Sequence, residues 1–206
     1  MAWLIRNYDQ VLNAAWQHVV LTAISVAIAT AIALAVGILA ARCRPVYRLV
    51  LPVTGVFYTI PSLALFALLI PLVGLGRTPA VIGLVGYSLL GLIRNVVAGI
   101  HTVPRDVIDA AAGMGLSRRQ VLWRVELPLA LPVIVAGLRV ATVTVIGIGT
   151  VAAYINAGGL GALIFSGIAQ TNGPKVASGA VLASLMAVLA DRGLEGLERR
   201  LAAAVR

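Results

Sequence analysis

The feature that most constrains this chain is Val19–Ala41, a run of 23 residues without a single charged side chain. At 1.5 Å of helical rise per residue it extends about 34 Å, enough to cross the hydrocarbon core of a bilayer. Arg42, Arg44 and Arg48 follow at once and stop it. The rest of the chain offers such a run no soluble interior to hide in. Of 206 residues, 61% are hydrophobic and 11% charged, against roughly 45–50% and about 25% in a typical soluble domain. Lipid is the solvent for most of this chain.

The same reasoning gives an all-α, polytopic membrane bundle of about five crossings in one domain over 1–206. The crossings fall near 19–41, 49–74, 80–100, 133–155 and 171–190. Leu49–Gly76 holds 28 uncharged residues; two crossings need about 40, so it is one crossing with an irregular end. Pro61 falls near its middle, and a break there frees carbonyls that neighbouring helices, or the hydroxyls of Thr59 and Ser62, must satisfy. Such a break is either an ordinary proline kink or part of a substrate pathway. Pro61 and Ser62 are therefore pathway or gate candidates, with Tyr87 and Asn95 on the third crossing and Gly158 and Gly159 beyond the fourth. Arg94 either reaches the interface with its long side chain or serves as a gate beside Asn95.

Around these crossings lie smaller pieces. Residues 3–18 mix Trp3, Tyr8 and Trp16 with Arg6 and Asp9, as an interfacial helix or a loose terminus would. A long apolar run without a nearby cleavage site argues for an uncleaved span rather than a leader. Asn156–Gly161 (NAGGLG) predicts a tight re-entrant turn packed against protein. No Lys-Ser/Thr comes after it, so it is no phosphate loop. Lys175 snorkels at the outer end of the last crossing, and 191–206 forms a short amphipathic helix. Cys43 is alone, so no internal disulfide exists.

The net charge of +9 sits in short connections, which is a topological signature rather than a nucleic-acid footprint. Eleven of the sixteen Lys and Arg residues lie in 42–48, 101–132 and 191–206, segments that five crossings place on one side. The positive-inside rule makes that side cytoplasmic, with the N-terminus outside and the C-terminus in the cytosol. No nucleophile stands beside a base, and no His, Cys and carboxylate cluster has metal-ligand spacing, so neither a catalytic nor a metal site is expected. None of the seven acids falls inside an expected crossing. Proton- or sodium-coupled carriers usually hold ionisable groups at mid-depth, so the energy source is expected elsewhere.

The cytoplasmic segment 101–132 is where such a source would act. Its core, Asp109–Pro128 (DAAAGMGLSRRQVLWRVELP), is an Ala-rich helix, a Gly113-x-Gly115 break and an Arg-rich helix ending in Leu127-Pro128. It predicts a bent two-helix knob whose Arg118, Arg119 and Arg124 meet a partner's carboxylates or anionic lipid heads.

Asp109-Ala110-Ala111, then Gly115, then Val125-Glu126-Leu127-Pro128 nine residues later, resembles the cytoplasmic motif of ATP-binding-cassette importer permeases. That motif runs Glu-Ala-Ala, three residues, Gly, nine residues, Ile, any residue, Leu-Pro; here Asp replaces Glu and Val replaces Ile. Tyr58–Pro79, LIRNVVAGI at 92–100, ELPLALPVIVAGLR at 126–139 and INAGGLGALIFSGI at 155–168 are similar to permeases for glycine betaine, choline and carnitine. The resemblance implies the type I importer permease fold and residence in the cell membrane. It also implies partners: a cytosolic ATPase dimer carrying ATP and Mg, a second identical or paralogous permease, and an extracytoplasmic solute-binding protein. In that reading Gly113 and Gly115 set the bend, Leu116 and Leu127 anchor apolar contact, Asp109 holds the knob's geometry, and Ala110, Ala111 and Pro128 complete the motif. A methionine or related permease is the alternative within the class, and a stand-alone carrier or channel the alternative outside it.

Overall fold

The computed structural model describes Trp3 and residues 6–204. The chain folds into α1 (Tyr8–Arg42), α2 (Arg44–Thr59), α3 (Ser62–Val73), α4 (Arg77–His101), α5 (Arg105–Gly113), α6 (Arg118–Val121), α7 (Leu127–Val151), α8 (Leu160–Ala169) and α9 (Gly173–Ala204). A π-helical turn, Leu122–Glu126, joins α6 to α7, and a 3₁₀ turn, Ala152–Ile155, ends α7. Helix α4 is the hub, buried along most of its length and packed on by α1, α7, α2 and α3.

The bundle has two distinct ends. At the arginine end, Arg42 pairs with Glu126 and the His101 ring meets the Ala41 carbonyl at 3.3 Å. At the glycine end, the Gly76 N–H donates to the Ile155 carbonyl (2.8 Å), and the Gly159 N–H donates to the Gln17 side chain (3.1 Å). These contacts settle the path of α2 and α3. The pair starts beside Arg42 and finishes at Gly74–Gly76 beside Ile155, so it is one broken crossing rather than a loop that returns. Helices α1, α4, α7 and α9 are long and apolar enough to cross, with α7 counted together with the α6 and π-turn that lead into it, and the broken pair brings the spans to as many as five. Lys and Arg of 42–48 and of the α5–α6 knob lie at the arginine end, toward which the polar half of α9 also runs.

Several expectations change. The crossing expected at 49–74 bends by 101° at Ile60–Pro61, far more than a kink, because proline forces its predecessor into extended backbone (Ile60 φ −69°, ψ 129°). The stretch 3–18, expected as an interfacial helix or a loose terminus, is neither from Tyr8 onward, where it is the start of α1; Leu4 and Ile5 lie outside the described residues. The tail at 191–206 continues α9 unbroken to Ala204, with Val205 and Arg206 outside the described residues. Its Asp191 and Glu198 both reach Arg139, with a second Asp191 contact at 3.0 Å and Glu198 at 3.6 Å, so acids do stand on a crossing helix. Leu127-Pro128 does not break the chain either. Pro128 lies inside a continuous helical stretch, Arg118–Ile155, directly after the π-turn Leu122–Glu126.

Glycine lets the elements close. The fully buried Phe66 ring occupies the notch at Gly83, where a Cβ would come within 2.6 Å of it. The NAGGLG turn packs against protein as expected, with Gly158 and Gly159 at φ +80° and +78°. Helix α8, directly after this turn, has no counterpart among the expected crossings: it is about 15 Å long, half the hydrocarbon thickness. It covers the glycine end by packing Leu160 and Leu163 on Val11 and Ala14. His18 is fully buried there, with Nε2 3.1 Å from the Ile146 carbonyl. Lys175 is buried as well, its Nζ 3.3 Å from the Gln170 amide oxygen and 5.8 Å from the Trp3 ring centre.

Candidate functional site

The knob at the arginine end is built by two local signals. Helix α5 ends in a paired cap: the Leu116 N–H donates to the Ala111 carbonyl (3.2 Å) and the Gly115 N–H to the Ala112 carbonyl (2.9 Å). That pattern needs a left-handed residue just past the helix, and Gly115 supplies it at φ +85°. Gly113 is an ordinary helical residue, so the bend expected from two glycines is made by Gly115 alone. Ser117 then opens α6 with a reciprocal box, its N–H donating to the Gln120 side chain (2.8 Å) and its Oγ accepting from the Gln120 N–H (3.4 Å). The turn is therefore fixed by backbone chemistry and needs no partner to form.

The motif residues divide by role. Ala111 is buried, which requires a small side chain there, whereas Asp109, Ala110, Arg118 and Arg119 are exposed. Asp109 makes no side-chain hydrogen bond or ion pair among the described residues, so it does not brace the knob as expected. Leu116 lines a cavity of about 630 Å³ between the limbs of the knob, with Ile108, Ala112 and Val121. Leu127 packs beside Ile100 and Ile134 in the bundle core, so it is not an exposed anchor; Pro128 is exposed. The exposed apolar groups are instead Met114 (75%) and Trp123 (59%). Arg118, Arg119 and Arg124 in the same segment are exposed and make no ion pair among the described residues, a mixture of apolar and cationic groups of the kind that holds a protein partner.

One residue joins the knob to the bundle. Glu126 is 2% exposed and receives the Arg42 guanidinium. A buried carboxylate is costly unless paired, so the contact fixes the π-turn against the end of α1. The extra residue per turn of that π segment ends at Glu126, where the side chain faces inward. A glutamate set between Val125 and Leu127 is the sequence trace of this arrangement; Arg42 as its partner had none.

A second candidate lies where the broken crossing meets α4 and α7. The Tyr87 hydroxyl donates to the Ile60 carbonyl at the break, and Thr59 Oγ1 donates to Val56 (2.9 Å). Tyr87, not Ser62, satisfies the carbonyl at the break. Tyr58 and Tyr87 stack edge to face, 6.4 Å between centres. Both line a cleft of about 210 Å³ with Arg94, Asn95 and Thr144. Asn95 is held there, donating to the Gly91 carbonyl (2.9 Å) and packing against Gly137. Of the expected pathway residues, Pro61, Tyr87 and Asn95 are thus brought to one region. Gly158 and Gly159 are not; they lie at the glycine end under Gln17 and His18. No group of three or more His, Cys, Asp or Glu placed to hold a metal occurs among the described residues.

Comparison with known proteins agrees with this geometry. The family model described as "Binding-protein-dependent transport system inner membrane component" matches residues 33–203. The chain is 41% identical to the glycine betaine/carnitine/choline transport system permease protein OpuCD of Bacillus subtilis, over 95% of this chain and 86% of that protein. It is 37% identical to the carnitine transport permease protein OpuCB of Listeria monocytogenes, over 95% of this chain and 89% of that protein. Inward-facing structures of the methionine ABC transporter MetNI share the fold, with a TM-score of 0.86 at 23% identity, over 95% of this chain and 98% of that one.

Proposed function

The chain belongs to the family of binding-protein-dependent transport system inner membrane components, and on that premise we propose that it imports a small quaternary-ammonium osmoprotectant such as glycine betaine, carnitine or choline. It is a multi-pass transport permease of type I ABC importer fold, and the family works with an ATPase and a solute-binding protein. In our reading the α5–α6 knob seats in the ATPase dimer, whose ATP and Mg chemistry moves it. The arginine end then faces the cytosol, the glycine end faces the binding protein, and a second permease subunit completes the pathway. The observation that carries the reading is the knob itself: a pre-formed, exposed turn with Met114, Trp123 and unpaired arginines, tied to the bundle through Glu126. The positive-inside rule supports its orientation. Likeness to the methionine transporter is a matter of fold alone.

The complex with its ATPase and binding protein, reconstituted in proteoliposomes, tests this. ATP-dependent uptake of glycine betaine, carnitine or choline is expected, with methionine failing to compete. Asp109→Arg should cut uptake by about tenfold or more while the complex still inserts. Uptake of methionine but of no quaternary ammonium would overturn the solute class. For orientation, Met114→Cys in a Cys43→Ser background should react with an impermeant maleimide in inside-out vesicles only. Labelling from the cell exterior would reverse the topology.

A further inference from the structure

Two arginines stand within the crossings, and the structure treats them differently. Arg139 is neutralised inside the chain by Asp191 and Glu198. Arg94 forms no ion pair among the described residues, is exposed, and lines the cleft of α2, α4 and α7. It lies seven residues before the end of α4, about 10 Å along the helix from the arginine end. A charge at that depth is expensive unless something pairs with it, and such residues mark substrate paths.

The rest of the cleft narrows what that partner is. Tyr87 is fixed by its bond to Ile60, and Tyr58 stands against it while remaining 55% exposed. An aromatic face is thus open beside the guanidinium. Aromatic faces take quaternary ammonium groups and arginine takes carboxylates in two parallel hydrogen bonds. One cleft therefore presents complementary sites for both ends of a zwitterion.

Resting on the permease reading above, we propose that this cleft is an intramembrane solute subsite. In it Arg94 binds a carboxylate and Tyr58, set by Tyr87, binds the ammonium of a carboxylate-bearing quaternary amine. The subsite distinguishes betaine- and carnitine-like solutes from choline, which has no carboxylate to offer.

Saturation-transfer NMR on the permease–ATPase complex in nanodiscs, without binding protein, tests the proposal. The probes are glycine betaine and tetramethylammonium. Arg94→Met should lower the glycine betaine signal at least tenfold and leave tetramethylammonium within twofold; Arg94→Lys should retain part of the betaine signal. Tyr58→Leu should weaken both probes. Co-elution of each variant with the ATPase on size exclusion shows that it is assembled. Unchanged betaine binding in assembled Arg94→Met overturns the subsite, as does a structure of the dimer with Arg94 paired to a carboxylate of the second permease. Either result leaves the permease reading standing if wild-type proteoliposomes accumulate betaine with ATP. Absence of ATP-driven uptake in wild type removes that reading instead.

Discussion

The two ends of the bundle are held together by different physics. At the arginine end the join is ionic and depends on side chains: Glu126, buried, against a half-exposed Arg42. At the glycine end it is a matter of backbone proximity. The Gly76 N–H reaches the Ile155 carbonyl and Gly161 lies against the Thr150 backbone with no room for a side chain, while the Gln17 side chain accepts from the Gly159 N–H beside them. Backbone contacts without rotatable atoms tolerate little displacement, whereas a side-chain ion pair swings about its torsions. The difference teaches what each join is made of: the end that carries the exposed knob is tied by an ion pair between rotatable side chains, and the opposite end mainly by backbone in close contact.

The largest test of that contrast is at Gly161. Gly161→Ala places a Cβ into the Thr150 carbonyl, and we expect a loss of about 4 kcal/mol or more. The measurement is thermal unfolding of the purified chain in nanodiscs; a wild-type midpoint would show that the glycine end is not so closely packed. Glu126→Gln should cost less, about 2–3 kcal/mol, because Arg42 retains access to water. Its sharper signature is in coupling: ATP hydrolysis persists while uptake per ATP falls, and the exchange Arg42→Glu with Glu126→Arg restores part of both. No recovery in the exchange would mean that the carboxylate acts without its partner.

Smaller effects separate the glycines of the knob. Gly115→Ala forces a left-handed backbone on an L-residue and should destabilise by about 1–2 kcal/mol. Gly113→Ala, in ordinary helix with open space around it, should be neutral or stabilise by about 0.5–1 kcal/mol. Equal effects at the two positions would contradict the cap described for α5. Smallest in stability is Trp123→Ala, expected within about 0.5 kcal/mol of wild type because the ring is exposed. Its effect belongs in the affinity for the ATPase, read by surface plasmon resonance as a loss of about tenfold.

Much of this was legible in residues alone. Uncharged runs gave the crossings, and arginine clustering gave the common side of 42–48, 101–132 and the tail. The motif spacing located the knob, and the proline at 61 located the break. Less legible was everything that depends on which residue of one helix sits level with which residue of another. Asp191 and Glu198 read as tail acids until α9 runs unbroken beside α7, and nothing near His18 in the chain points to Ile146, whose carbonyl meets its ring. Helix α8 was missed because ten apolar residues can be a buried turn, a strand or half a span, and periodicity alone does not choose.

The sequence by itself determined the solvent of this protein, its character as a bundle of apolar helices and the position of its exposed turn. Each of these comes from local quantities: side-chain transfer free energy, helix rise, the backbone freedom of Gly115 and the backbone constraint of Pro61. Tertiary structure alone decided which charges are neutralised, leaving Arg139 paired and Arg94 without an ion pair among the described residues, and which end of the bundle is joined by an ion pair and which by backbone contacts. Both depend on interhelical register, which is set by close contacts such as Gly37 on Val96 and Gly137 on Asn95. A contact between residues tens of positions apart leaves no mark on either stretch when it is read alone.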